Sequence, residues 1–68
     1  MATWIPTTFA DGPRADDYTG WHDGQCIGRV YLFWSGRWRW AAYLPDRTGR
    51  AGFADTLDEA KAECEAHW

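Results

Sequence analysis

The stretch that decides the fold is Ile27-Gly28-Arg29-Val30-Tyr31-Leu32-Phe33-Trp34-Ser35-Gly36-Arg37-Trp38-Arg39-Trp40-Ala41-Ala42-Tyr43-Leu44, with six aromatic residues and three arginines around one turn. Aromatic and β-branched residues flank Trp34-Ser35-Gly36, which reads as a β-hairpin. Two registers compete. A two-residue Ser-Gly turn pairs Phe33 with Trp38 and Tyr31 with Trp40, and puts Arg29 among them. A three-residue loop with Gly36 in the left-handed region makes a bulge and pairs Leu32 with Trp38 and Val30 with Trp40. This second register collects Cys26, Val30, Leu32, Trp38, Trp40, Ala42 and Leu44 on one face. Arg29, Tyr31, Phe33, Arg37, Arg39 and Tyr43 then share the other. Because it separates charge from core, it is the expected one; a slip of one residue exchanges the faces of one strand.

Outward from the hairpin, Tyr18 to His22 reads as a preceding strand. The Asp23-Gly24 dipeptide, which favours a tight turn, joins it to Gln25–Phe33. After Leu44, the polar turn Pro45 to Arg50 leads to a short closing strand, Ala51 to Ala54. Residues 1–17, punctuated by Pro6, Gly12 and Pro13 and ending in Asp16-Asp17, read as an irregular leader. Trp4, Ile5 and Phe9 leave open that its first part adds an edge strand. Residues 18–68 are the expected sheet-plus-helix domain.

The chain ends in a helix with a capping box, Thr56-Leu57-Asp58-Glu59, in which the hydroxyl and the carboxylate three residues on each satisfy a free backbone amide. Leu57, Ala60, Cys64 and Trp68 form its apolar stripe, and Glu59, Glu63 and Glu65 are expected to face water. The fold class expected is α+β: an antiparallel meander of three or four strands with one C-terminal helix packed on one face.

With 68 residues the chain has room for one modest core, and its six tryptophans, three tyrosines and three phenylalanines offset the short length. Net charge is −3, but its placement is uneven: residues 1–26 carry −3, residues 27–54 carry +4 and residues 55–68 carry −4. An acidic total argues against coating nucleic acid by bulk charge. No apolar run approaches the roughly 20 residues of a membrane span, and the first residues lack a basic, apolar signal pattern. Two cysteines are too few for a secreted disulfide framework. The expectation is a cytoplasmic protein of bacterial or phage type.

Three constellations could carry chemistry. The face with Arg29, Tyr31, Phe33, Arg37, Arg39 and Tyr43 combines rings that stack with guanidiniums that meet phosphate, the two ingredients of nucleic-acid recognition by sheets. Its bland reading is a solvated outer surface on which arginines stack over aromatics. His22, Cys26, Cys64 and His67 have ligand types suited to zinc, but the expected register points Cys26 inward and Cys64 lies on the helix stripe, so both read as small core residues. The helix carboxylates lie mostly on its solvent side, without a pocket to shift them. No nucleophile motif or phosphate loop is present, so neither an enzyme nor a cofactor nor a small-molecule substrate is expected.

Gly36-Arg37-Trp38, Ala41-Ala42-Tyr43, Gly49-Arg50 and Phe53-Ala54-Asp55-Thr56-Leu57-Asp58-Glu59-Ala60 together resemble the plant AP2-type DNA-binding domain and the arm-binding domains of phage integrases. The resemblance spans about residues 28–66. It implies a three-stranded sheet that enters the DNA major groove with strand arginines and tryptophans, and a helix packed behind. The chain departs from it by inserting Arg39-Trp40, by its acidic helix and by fewer basic residues on the first strand. The function expected first is a weak double-stranded DNA binder using Arg29, Arg37, Arg39 and Tyr31. The alternative is a protein-interaction or scaffold module whose same face meets an acidic partner or its own copy.

Overall fold

The structure is a computed structural model that describes residues 2–43 and 49–68. Five strands form one antiparallel meander in the order β1-β2-β3-β4-β5: β1 Thr3–Phe9, β2 Gly12–His22, β3 Gln25–Leu32, β4 Trp38–Tyr43 and β5 Gly49–Ala54. The helix α1, Leu57–His67, follows and packs on β3, β4 and β5. The α+β class holds, with five strands where three or four were expected.

The added strand and the first half of β2 come from the expected leader. Instead of an irregular segment, residues 3–9 form β1, and β2 begins at Gly12 rather than Tyr18. Gly12, at φ 112°, closes the turn between them. β1 pairs with β2 from Thr3↔Trp21 to Phe9↔Gly12, and a bulge falls between Pro6 and Thr8. β5 begins at Gly49, inside the stretch expected to turn. Leu44 and Pro45, with the rest of 44–48, lie outside the described residues.

The central hairpin has the bulged register. Leu32 pairs with Trp38 and Val30 with Trp40. The Phe33 N–H donates to Arg37 O (2.7 Å), the Gly36 N–H donates to Phe33 O (2.9 Å), and Gly36 sits at φ 86°. A left-handed residue at the third loop position is what lets a turn join strands of normal twist, and glycine adopts it without a Cβ penalty. Asp23 and Gly24 both have positive φ, at 50° and 78°.

The face beneath the helix is the core. Ile27, Val30, Trp40, Ala42, Ala54, Ala60 and Cys64 are buried, with Trp4, Tyr18, Trp38 and Leu57 packed around them. Gly28 lets the helix sit directly on β3: a methyl group there would overlap the Ala41 carbonyl oxygen and the Cys64 sulfur. Cys64 donates its S–H to that carbonyl at 3.4 Å.

Three side-chain placements differ from expectation. A bulge opposite Gly20/Trp21 pairs Cys26 with Trp21 and inserts Ile27 as the extra residue. Paired residues share a face, so Cys26 goes to the side away from the helix and Ile27 takes the core position. Leu32 has the expected face but stays 42% exposed, because it lies at the hairpin end of the sheet. Glu65, expected in water, accepts a hydrogen bond from Trp4 Nε1 at 2.8 Å and so ties the helix to β1.

Thr56 caps the helix: its Oγ1 accepts from the Glu59 N–H at 3.1 Å. His67 stacks on Trp40 with ring centroids 5.0 Å apart. Among the described residues, no helix is long and apolar enough to cross a membrane.

Candidate partner-binding face

Alternation along each strand carries one set of side chains away from the helix, and the pairing aligns them in rows. One row crosses four strands as Asp17, Tyr31, Arg39 and Phe53. The next holds Thr19, Arg29, Ala41 and Ala51. Register alone therefore collects Arg29, Tyr31, Arg39 and Tyr43 on the face expected for them, with Phe33 and Arg37 at its hairpin end.

The two ends of this face differ in chemistry. Towards β1 it is a closed polar network. Asp17 is only 5% exposed. It accepts a hydrogen bond from Arg29 Nε at 2.8 Å, a second from the terminal guanidinium nitrogen, and one from Thr7 Oγ1 at 2.7 Å. Thr7 and Thr19 hydroxyls are themselves 2.8 Å apart. The Arg29 guanidinium also lies over the Tyr31 ring, 4.8 Å from its centroid. The hydrogen bond to Asp17, with their mutual attraction, holds Arg29 protonated even more firmly than an ordinary arginine, against the opposing effect of burial. A guanidinium engaged twice by a buried carboxylate has its charge compensated, which weakens its attraction for a phosphate.

Towards β5 the face is aromatic and open. Phe33 and Phe53 meet edge to face at 5.3 Å, and Trp34 leans on Phe33 at 5.8 Å. Trp34 is 89% exposed and Phe53 40%. Arg39 on β4 and Arg37 just before it reach across to lie over the Phe53 ring, at 5.0 and 5.8 Å from its centroid. Arg37 also faces the well-exposed Asp55 at 3.4 Å, a rim contact that solvent weakens. Among the described residues no carboxylate lies within ion-pair distance of Arg39.

Sequence reasoning missed Phe53, Trp34 and Asp17 as members of this face. Phe53 is assigned only once the β4–β5 register is known, and Trp34 lies in the hairpin loop, outside the alternation of the strands. In the sequence Asp17 reads as a solvated acid at the end of a leader. Tyr43 lies at the far end of the sheet face, away from the Phe33–Phe53 cluster.

The possible ligands His22, Cys26, Cys64 and His67 are divided between the two sides of the sheet. Cys64 is under the helix, His67 stacks on Trp40, and His22 meets Trp68 edge to face at 5.4 Å. A cleft of about 220 Å³ lies there between Ala2, His22, Ile27, Glu65 and Trp68. This is smaller than the roughly 300–1,000 Å³ typical of small-molecule sites.

Comparison of the chain with protein-family models, with curated proteins and with solved structures finds no match.

Proposed function

We propose that this protein is a small protein-binding module whose contact surface is Phe33, Trp34 and Phe53, with Arg37 and Arg39 beside them. The observation that carries this reading is the Asp17–Arg29 pair. It withdraws one of the three arginines of the candidate face, Arg29, Arg37 and Arg39, into an internal network and leaves an exposed patch that is more aromatic than charged. Exposed aromatics with flanking arginine are the composition of binding hot spots. The two arginines favour an acidic partner and oppose a second copy presenting the same charges.

Duplex DNA is the second reading, supported by the arginines at 37 and 39 and by the AP2-like pattern of the hairpin. With these two arginines of the face neutralising phosphates, the logarithmic salt slope would lie near −2.

The test is capture from a nuclease-treated extract of the native cells by the immobilised protein, compared with the Trp34→Ala/Phe53→Ala variant. The reading expects proteins that are retained despite nuclease and lost on the variant. Retention abolished by nuclease, or unchanged by the variant, would overturn it.

A further inference from the structure

The meander leaves β1 and β5 as its edges, and the two are unlike. β1 carries Pro6, which has no N–H, and a bulge beside it, both devices that blunt an edge against pairing. β5, Gly49-Arg50-Ala51-Gly52-Phe53-Ala54, has neither.

The hairpin fixes which backbone groups of β5 point outward. The Phe33 N–H bond to Arg37 O makes residues 33 and 37 a hydrogen-bonded pair. Alternation then makes Tyr31/Arg39 and Arg29/Ala41 the hydrogen-bonded pairs of β3–β4. Trp38, Trp40 and Ala42 must direct their amides and carbonyls to β5, onto Ala54, Gly52 and Arg50. Gly49, Ala51 and Phe53 therefore turn theirs away from β4, to the side on which no described strand pairs.

We propose that this edge takes an extended acidic segment of a partner protein as a sixth strand, its carboxylates set on the outer face opposite Ala51 and Phe53. The proposal rests on the protein-binding reading and specifies how the partner docks. Charge complementarity names the occupant. Arg39 and Arg37 reach over Phe53, the β5 residue that shares the outer face, and bring their charge towards the edge. Asp55 lies beyond the end of β5 against Arg37. A second copy paired edge to edge would bring two such arginine sets together. Main-chain bonds along the edge would supply affinity, and Arg37 and Arg39 would supply selection for acid on that face.

The test uses the isotopically labelled full chain titrated with the peptide Val-Glu-Val-Glu-Val-Glu-Val, and with its lysine counterpart as control. Saturable amide shifts along Gly49–Asp55 are expected with the glutamate peptide alone, with slowed hydrogen exchange at the Ala51 and Phe53 amides. Ala51→Pro removes an outward N–H without touching the β4 ladder, and should weaken binding by about tenfold. If that variant does not fold, the exchange rates of the wild-type chain decide. Shifts confined to Phe33, Trp34 and the Phe53 side chain, with no exchange protection, would overturn the edge proposal and leave the aromatic surface standing. No saturable shift would also overturn it. A dimer with Ala51 and Phe53 already protected would assign the edge to a second copy instead. The nuclease-resistant capture depends on Trp34 and Phe53 side chains, so it fails or succeeds separately.

Discussion

Asp17 on β2 and Arg29 on β3 are joined diagonally across the strand pair by two hydrogen bonds, with the carboxylate buried. Removing the acid strands a guanidinium, and removing both relieves the problem. Breaking a fully buried pair costs about 3–5 kcal/mol. The Arg29 side chain is 37% exposed, so water recovers part of this. Asp17→Ala should cost about 2 kcal/mol in denaturant unfolding. The Asp17→Ala/Arg29→Ala double variant should be less destabilised than the sum of the two singles. Additive losses would show that the pair is not coupled.

Gly28 and Gly36 should respond to alanine for different reasons. At Gly28 the added methyl meets a backbone carbonyl and a buried sulfur, so the helix must lift, at a cost of at least about 2 kcal/mol. At Gly36 there is open space and the cost is only that of positive φ, about 1 kcal/mol. Thermal unfolding of the two variants orders them, and the reverse order would contradict the close docking of α1.

Much of this architecture is legible in the residues. Trp34-Ser35-Gly36 with the separation of Val30, Trp38 and Trp40 from Tyr31 and Arg39 sets the hairpin register, and Thr56 with Glu59 sets the helix start. These signals are local. β1 and the first half of β2 are harder, because Pro6, Gly12 and Pro13 are loop residues by composition. What makes Asp17 a strand residue is its satisfaction by Thr7 and Arg29, ten and twelve positions away. The bulge that exchanges Cys26 for Ile27 has no local mark. The candidate face was readable along β3 and β4 by alternation. Phe53 required the register of β5, which depends on a connection through 44–48.

Thr56 supplies one of the few side-chain partners for the first turn of a helix too short to stand alone. Thr56→Ala should lower stability by about 1 kcal/mol, measured by denaturant midpoint. Thr56→Ser, which keeps the oxygen acceptor, should recover most of it. Equal midpoints for all three chains would show that the 3.1 Å bond to Glu59 N–H contributes nothing.

The two thiols should behave differently. Burial, with Glu65 and Cys26 nearby, pushes the Cys64 thiol up to about 11 from an ordinary 9.0. The thiolate is the reactive form, so at pH 8 an aromatic disulfide reagent should modify Cys26 first and reach Cys64 only on unfolding. The sign for stability follows. The unfolded thiol ionises from about pH 9 while the folded one stays protonated to about 11, so this contribution is intact below pH 9 and is lost between the two. Cys64→Ala should flatten that part of the alkaline stability profile. Equal labelling rates for the two cysteines in the folded protein would contradict the packing of α1.

The account turns on whether the sheet face is built for a protein or for phosphate, and duplex DNA decides it most directly. Labelled duplex is titrated with the protein at low salt, alongside the Arg37→Ala/Arg39→Ala variant. With Arg29 held by Asp17, the wild-type protein is predicted to give no saturable binding, and the variant to be indistinguishable from it. Saturable binding that weakens with salt at a logarithmic slope between about −2 and −3, and that disappears in the variant, would contradict the account.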